Sequence, residues 1–100
     1  MTTIRWTEQA VADLEAIRDY VARDSVKYAA LLIERLIASL DRVALLPEIG
    51  RIVPEYQRPD IRELIQGSYR VVYRLRSDQV EVLTVFHGAR LFPDDLDASR

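Results

Sequence analysis

The sequence predicts one α+β domain in which an N-terminal strand precedes an antiparallel helical hairpin packed on a twisted antiparallel β-sheet, in the order β-α-α-β-β-β. Two observations lead to this class. Apolar residues recur at helical spacing in the first half, whereas the second half is rich in Val, Tyr and Phe at strand spacing. No internal repeat or Gly/Ser linker interrupts the chain, so residues 1–100 are predicted to be a single domain with a loose tail at 91–100.

The first elements follow from local signals. Residues 4–6 have the composition of a short opening strand, and Thr7 is a good helix N-cap. A helix is then expected to end near Arg23 and Asp24. One face of it carries apolar residues at i, i+4, i+7 and i+11: Ala10, Leu14, Ile17 and Val21.

A second helix is predicted from Ser25, its cap, to the residues before Pro47. Its apolar stripe is continuous: Ala29, Leu32, Ile33, Leu36, Leu40 and Val43. Further apolar residues widen it: Leu31, Ile37 and Ala44. The helix is therefore expected to be sandwiched, the alternative being that it offers apolar surface to a partner. The short link between the helices predicts an antiparallel hairpin.

The second half reads as loop and sheet. Residues 50–60 are expected to form a loop, since Pro54 and Pro59 lie in it. Three strands are predicted after it, at 62–65, 69–76 and 79–87, joined by turns at 66–68 and 77–78.

Placing the last turn at Ser77-Asp78 fixes a register for the final hairpin. The predicted pairs are Leu75–Val80, Tyr73–Val82, Val71–Thr84 and Tyr69–Phe86. These eight residues would share the face that receives the helices. The opposite face would present Arg70, Val72 and Arg74 against Val85, Leu83 and Glu81, with His87 at its end. Arginines among aliphatic residues are typical of docking surfaces, so this face is the candidate functional surface.

Each candidate also has a structural explanation. Arg74 is predicted opposite Glu81, and the two residues would form an ordinary cross-strand ion pair. The single histidine, His87, titrates near neutrality and suits acid–base chemistry, or it makes a structural hydrogen bond at a strand end. Arg70 faces an aliphatic residue in this register and is the stronger functional candidate.

Composition restricts the chemistry. The chain has no cysteine, so disulfides, thiolate metal sites and nucleophilic cysteines are excluded. The Asp94-Asp95 pair belongs to an acidic tail, and neither a metal nor a cofactor is expected. The net charge is −2, so no direct sequence-specific DNA binding is expected, and nucleic-acid contact would need a local patch. Without a signal peptide or a long apolar stretch, we expect a cytoplasmic protein and no membrane span.

The order of several short segments resembles a known family. Residues 6–10 followed by Asp13, Leu14, Ile17 and Tyr20, then residues 47–51, and then the sheet segments 62–65, 69–73 and 85–90 are similar to ParE-type toxins of the RelE/ParE superfamily, also called plasmid-stabilisation proteins. The resemblance spans about residues 4 to 92. It implies the toxin of a type II toxin–antitoxin system, bound by a cognate antitoxin in a heteromeric complex.

The resemblance implies one of two activities: inhibition of DNA gyrase, as in ParE-like members, or ribosome-dependent mRNA cleavage, as in RelE-like endoribonucleases. Arg70 and Arg90 match positions that carry functional arginines in RelE, and Arg62 and His87 are further candidates. However, residues 91–96 lack the C-terminal tyrosine of RelE, and the strand at 62–65 lacks its lysines. These departures favour a protein-binding inhibitor of gyrase over a ribonuclease.

Overall fold

The computed structural model describes residues 2–89, and it confirms the predicted α+β architecture. The elements are β1 (Thr3–Trp6), α1 (Glu8–Ala22), α2 (Val26–Ala38), α3 (Leu40–Leu45), β2 (Arg51–Ile52), β3 (Ile61–Gln66), β4 (Tyr69–Leu75) and β5 (Gln79–His87). Arg90 and the predicted loose tail at 91–100 lie outside the described residues. No helix within residues 2–89 has the length and apolar character needed to cross a bilayer.

The helix starts are those expected from the sequence. The Thr7 hydroxyl accepts a hydrogen bond from the Ala10 amide at 3.2 Å, and the Ser25 hydroxyl accepts one from the Tyr28 amide at 3.0 Å. The second predicted helix is divided at Ser39, whose buried hydroxyl donates to the Leu36 carbonyl at 2.6 Å. Such back-bonding bends helices, and here it separates α2 from α3.

The five strands form one sheet in the order β1-β5-β4-β3-β2. Three of the four pairings are antiparallel, but β1 runs parallel to β5 because the helices carry the chain across one face between them. The predicted antiparallel sheet is thus confirmed for β2 to β5, and β1 adds to it as a parallel strand. Two residues of the predicted loop at 50–60 add the edge strand β2.

A β-bulge shifts the register of the final hairpin. The predicted pairs Leu75–Val80 and Tyr73–Val82 are confirmed, but the register shifts between Val72 and Tyr73. The predicted pairs Val71–Thr84 and Tyr69–Phe86 are wrong, and the observed pairs are Val71–Val85 and Tyr69–His87. One extra residue in β5 exchanges the faces of everything beyond it. Phe86 consequently moves to the second face, the face of the sheet opposite the helices.

Among residues 2–89, one apolar cluster lies on each side of the sheet. The larger, between helices and sheet, has these buried members: Ala10, Leu14, Leu32, Leu36, Leu40, Val43, Leu64, Val71, Tyr73, Val80, Val82 and Val85. The outer side of α2 leaves Leu31 and Ile37 exposed. The expectation that this helix is sandwiched is therefore wrong, and its surplus apolar residues face outward.

Candidate functional site

The second face of the sheet is not the open surface that the sequence suggested. Val72 and Leu83 are buried there in a small cluster with Val53, Ile61 and Phe86, and Tyr56 packs against it. The segment between β2 and β3, residues 53–60, supplies Val53 and Tyr56 and so lies over this face. Burial also raises the pKa of Tyr56. The candidates Val72 and Leu83 are therefore core residues and do not form an exposed docking surface.

Arg70 lies at the centre of an ion-pair network on this second face. Its Nε donates to Glu63 Oε1 at 2.6 Å, and its two terminal nitrogens donate to the two oxygens of Glu55 at 2.9 Å each. The guanidinium also lies over the ring of Phe86, 5.2 Å from its centroid. The side chain is only 11% exposed. The expectation that Arg70 faces Val85 without a partner is wrong, because the bulge brings Phe86 opposite it.

Glu63 is the buried carboxylate on which this network is built. Its side chain is 0% exposed, and it receives Arg70 at 2.6 Å and Arg51 Nε at 2.5 Å. A buried carboxylate requires such partners, because desolvation otherwise strongly disfavours its charge. Arg70 also holds the pKa of the Glu55 carboxyl below its usual range. In turn, the carboxylates of Glu55 and Glu63 raise the pKa of Arg70. Sequence reasoning missed Glu63, although a charge between Ile61 and Ile65 on one strand face is the signal that marks it.

A second network occupies the same face near β1. Glu81 forms ion pairs with Arg76 at 2.8 Å and with Arg5 at 2.6 Å, and these bonds hold its carboxyl pKa below the ordinary value. Arg74 is opposite Glu81 in the register, as predicted, and its side chain is buried. The predicted register of Arg74 and Glu81 is thus confirmed, and Glu81 also forms ion pairs with Arg5 and Arg76.

Arg62 binds backbone carbonyls in the link between the helices and the sheet. Its Nε donates to the Pro59 carbonyl at 2.9 Å, and one terminal nitrogen donates to the carbonyls of Glu48 and Gly50 at 3.1 Å each. It therefore holds the backbone around β2, apart from the ion-pair network of Arg70, and the structure does not bring these two candidates together.

His87 lies beside the helices rather than beside Arg70. Its imidazole makes a T-shaped contact with the Tyr69 ring, with the ring centroids 5.5 Å apart. Its Nδ1 accepts a hydrogen bond from the Ala89 amide at 3.1 Å. The prediction that it shares a face with Arg70 is wrong, again because of the bulge, and Val85 is displaced to the same helical side. The backbone hydrogen bond corresponds to the structural role considered for this histidine.

A groove of about 500 Å³ opens between α1 and the neighbouring residues of β4 and β5. Its lining is mostly apolar and aromatic, with one carboxylate and the imidazole: Asp13, Ala16, Ile17, Tyr20, Tyr69, Val85, Phe86 and His87. Tyr20 is largely exposed at its rim, where Arg23 lies 5.5 Å over the ring. Burial raises the pKa of the Tyr69 hydroxyl. Exposed aromatic residues around a concave surface are the residues that anchor protein interfaces.

Arg70 and His87, the two nuclease candidates that lie within residues 2–89, are therefore not brought together as one catalytic site. Arg70 is enclosed by carboxylates on one face, and His87 borders a groove on the other. Arg90, the remaining nuclease candidate, falls outside residues 2–89. Within those residues, no group of three His, Asp or Glu side chains is arranged to hold a metal ion. The described geometry is suited to binding a protein surface.

Comparisons with known proteins identify the class of this fold. The chain is 35% identical over 92 residues to "Toxin RelE2" of Caulobacter vibrioides, a match that covers 91% of this chain and all of that one. It is 34% identical over 95 residues to "Putative toxin Y4kP" of Sinorhizobium fredii, covering 93% and 95% of the two chains. The chromosomal ParDE TA system from P. aeruginosa contains a chain of the same fold, with a TM-score of 0.73 at 22% identity over 87% of this chain and 96% of that chain.

These similarities define a small toxin of the RelE/ParE superfamily. The family model described as "ParE toxin of type II toxin-antitoxin system, parDE" matches residues 4–92, and the chain belongs to this family. Toxins named for both branches of the superfamily, RelE2 and ParE3 of Caulobacter vibrioides, are among the proteins it is similar to.

Proposed function

We propose that this protein is a toxin that inhibits DNA gyrase by binding it, without breaking any bond itself, and that a cognate antitoxin neutralises it. Membership of the ParE family supports the proposal, since the resemblance implies gyrase inhibition for ParE-like members. A toxin directed at gyrase acts in the cytoplasm, and that location is part of the same proposal.

The enclosure of Arg70 is the observation that carries the proposal. To stabilise a phosphate in RNA cleavage, an arginine must direct its donors at the charge that develops on the phosphate oxygens. Here three donor atoms of Arg70 are bound to Glu63 and Glu55, and a phosphate would meet two carboxylates beside it. The donors that a ribonuclease site would have to direct at a phosphate are therefore already bound to carboxylates.

The position of His87 supports the same conclusion. A group that transfers protons must lie within hydrogen-bond reach of the reacting atom, which would also contact the stabilising arginine. His87 borders the groove beside α1, whereas the guanidinium of Arg70 lies on the second face with Glu63. These two side chains would not meet on one phosphate.

Ribosome-dependent mRNA cleavage is the second candidate. The observation in its favour is the 35% identity to a protein named "Toxin RelE2", which covers all of that chain. Under this alternative, Arg90 and His87 would be the residues to examine first.

The antitoxin is proposed as a partner because a solved structure of the same fold is a ParDE toxin–antitoxin system. The chain offers apolar surface that such a partner would cover: the groove beside α1, and Leu31 and Ile37 on the outer side of α2. An amphipathic segment laid over these residues would bury them. Limited proteolysis of the toxin should then slow when antitoxin is added.

One paired experiment separates the two activities. The same refolded toxin is assayed for gyrase supercoiling and for cleavage of ribosome-bound mRNA, each with and without antitoxin. We expect supercoiling to stop, mRNA to stay intact, and antitoxin to restore supercoiling. Cleaved mRNA beside active gyrase would overturn the proposal, and His87→Gln and Arg90→Gln would then be expected to abolish cleavage. Arg35→Gln, on the exposed side of α2, is the control for loss of one positive charge.

A further inference from the structure

The guanidinium of Arg70 is oriented from inside the protein. Glu63, a fully buried carboxylate, binds its Nε at 2.6 Å, and the ring centroid of Phe86 lies 5.2 Å from its central carbon. These contacts leave the two terminal nitrogens directed at one place, where each donates a hydrogen bond of 2.9 Å. A fork held in this way loses little conformational freedom on binding, and its geometry matches carboxylate and phosphate oxygens alike.

The place in front of this fork is occupied by Glu55. Its two oxygens accept one terminal nitrogen each, so the pair is bidentate. The side chain of Glu55 is 41% exposed and that of Arg70 is 11% exposed, so the carboxylate lies on the solvent side of the fork. Hydrogen bonding to Arg70 and, to a smaller extent, the charge of Arg51 hold the pKa of Glu55 below its usual range. Glu55 is therefore a charged internal ligand, with a second cation beside it.

A tight turn keeps Glu55 at that position. The Val53 carbonyl accepts hydrogen bonds from the amides of Tyr56, at 3.2 Å, and Gln57, at 2.9 Å. Val53 is fully buried and Tyr56 packs against the apolar cluster, so the turn is anchored on both sides of Glu55. Gln57 ends the turn with a φ of 53°, a left-handed conformation that few residues other than glycine adopt. With this backbone fixed, the Glu55 side chain can rotate but stays close to Arg70.

We propose that Glu55 determines which ligand this toxin rejects: its carboxylate takes the position on Arg70 that a backbone phosphate of RNA would take. This rests on the proposed function and deepens it, since it names the residue that keeps a ribonuclease substrate off a toxin that acts by binding protein. Glu63 orients the arginine, whereas Glu55 occupies the donors that Glu63 has oriented. The two carboxylates therefore have opposite effects on a phosphate, and replacing Glu55 alone should open the site.

A nucleic-acid backbone fits the opened site better than an acidic peptide does. Without Glu55, the two arginines Arg51 and Arg70 share one carboxylate, Glu63, and the trio has an excess of one positive charge. The Arg51 side chain is 59% exposed, so it is available to the next phosphate along a strand. A single-stranded backbone carries a charge at every nucleotide, whereas a peptide would need two acidic residues at a matching spacing. Binding of this kind weakens as the salt concentration rises.

The test measures binding of a short, fluorescently labelled oligouridylate to the full-length protein by anisotropy at low salt. Glu55→Ala should bind it about tenfold more tightly than wild type does, the scale of one charge-assisted hydrogen bond. Glu55→Gln keeps the shape of the side chain and one acceptor oxygen, so it should show a smaller gain. The double variant Glu55→Ala with Arg70→Lys keeps a cation for Glu63 but has no fork, and it should return to the wild-type level.

Two controls remove one negative charge at other positions. Glu34→Ala changes the exposed side of α2, and Asp60→Ala changes the segment that carries Glu55, where Asp60 binds Arg58 at 2.8 Å. Neither should match Glu55→Ala, because neither frees the fork of Arg70. Equal gains in a control would overturn the proposal, since net charge would then account for the binding. A gain that survives Arg70→Lys, or wild-type binding as tight as that of Glu55→Ala, would overturn it too.

Urea unfolding establishes that each variant is folded. If Glu55→Ala is not folded, Glu55→Gln takes its place, and the absence of any gain in a folded variant contradicts the role of Glu55. Gyrase supercoiling is measured without RNA, so the two results are independent. Failure to inhibit gyrase counts against the proposed function, whereas an unchanged affinity of Glu55→Ala for the oligouridylate counts against the role of Glu55 alone.

Discussion

The carboxylate of Asp13 binds the hydroxyl of Thr84 at 2.5 Å, across 71 residues of sequence. The same oxygen accepts the Val85 amide at 3.1 Å, and Gln9 donates to the other oxygen at 2.8 Å. Thr84 follows the bulge in β5, where a register shift leaves backbone groups without regular ladder partners. Asp13 thereby fixes α1 over the irregular part of the sheet, at the base of the groove.

Asp13→Ala should therefore reduce the free energy of unfolding by roughly 1–3 kcal/mol, the cost of leaving buried donors without an acceptor. Urea unfolding followed by circular dichroism measures the change. Asp19→Ala is the matched control, because Asp19 is exposed and its ion-pair partner among residues 2–89 is the adjacent Arg18. Equal losses for the two variants would contradict the role assigned to Asp13.

Arg70→Ala should destabilise the fold by about 3 kcal/mol, because it leaves the buried Glu63 with Arg51 as its remaining ion pair. Replacing an exposed strand arginine would have little effect on the free energy of unfolding, but the side chain of Arg70 is only 11% exposed. The midpoint of urea unfolding checks the difference, with Arg18→Ala on α1 as the exposed control. If Arg70→Ala unfolds at the wild-type midpoint, the network is not structural. Any loss of toxicity in a destabilised Arg70→Ala protein would have to be attributed to unfolding first.

The ion pairs of Glu81 predict a dependence of stability on pH. Arg76 and Arg5 lower its pKa from the usual 4.5. Its stabilising contribution is therefore fully present above that value and is lost as the pH falls through the lowered pKa of the folded state. Glu81→Gln should lower the Tm at about pH 7, and the difference from wild type should shrink toward about pH 3. Glu34→Gln, on the exposed side of α2, controls for loss of a surface carboxylate. A difference that stays constant across this range would count against the ion pairs.

Gly50→Ala should be strongly destabilising, by roughly 1–3 kcal/mol or more. A Cβ there would overlap the Tyr73 hydroxyl and lie 2.7 Å from the Glu63 carbonyl. Tyr73 is fully buried, and its hydroxyl accepts from the Gly50 amide and donates to the Pro47 carbonyl, both at 2.9 Å. Gly67→Asn is the comparison, because Gly67 has a φ of +59°, which asparagine tolerates, and nothing within 4 Å of its Cβ position. Thermal unfolding should separate the two, and similar Tm values would contradict the packing argument.

Much of the fold was predictable because its signals are local. Thr7 and Ser25 cap their helices as expected, and Ser77-Asp78 sets the start of the final hairpin correctly. These features depend on neighbouring residues alone. The division of the second helix into α2 and α3 was not predicted. The apolar stripe runs on without a break past Ser39, and the sequence does not show that the Ser39 hydroxyl donates to the Leu36 carbonyl.

The candidate site was predicted less well, because it depends on one residue of register. The bulge near Val72 sends His87 and Val85 to the helical side and brings Phe86 beside Arg70. Nothing in the Val, Leu, Thr and Phe residues of β5 marks where the extra residue lies. Long-range ion pairs, such as Glu55 with Arg70, likewise depend on how the segment at 53–60 crosses the sheet.

The parallel pairing of β1 with β5 also governs when the domain can form during synthesis. The Thr7 amide reaches Val82, so the first strand waits for one made 75 residues later. Closing so long a loop is entropically slow, and no shorter nascent chain contains the partner strand. Until β5 has been made, the helical hairpin lacks the strand on which α1 packs. The domain therefore forms only after β5 has been synthesised, and a prematurely terminated product lacking β5 should be harmless.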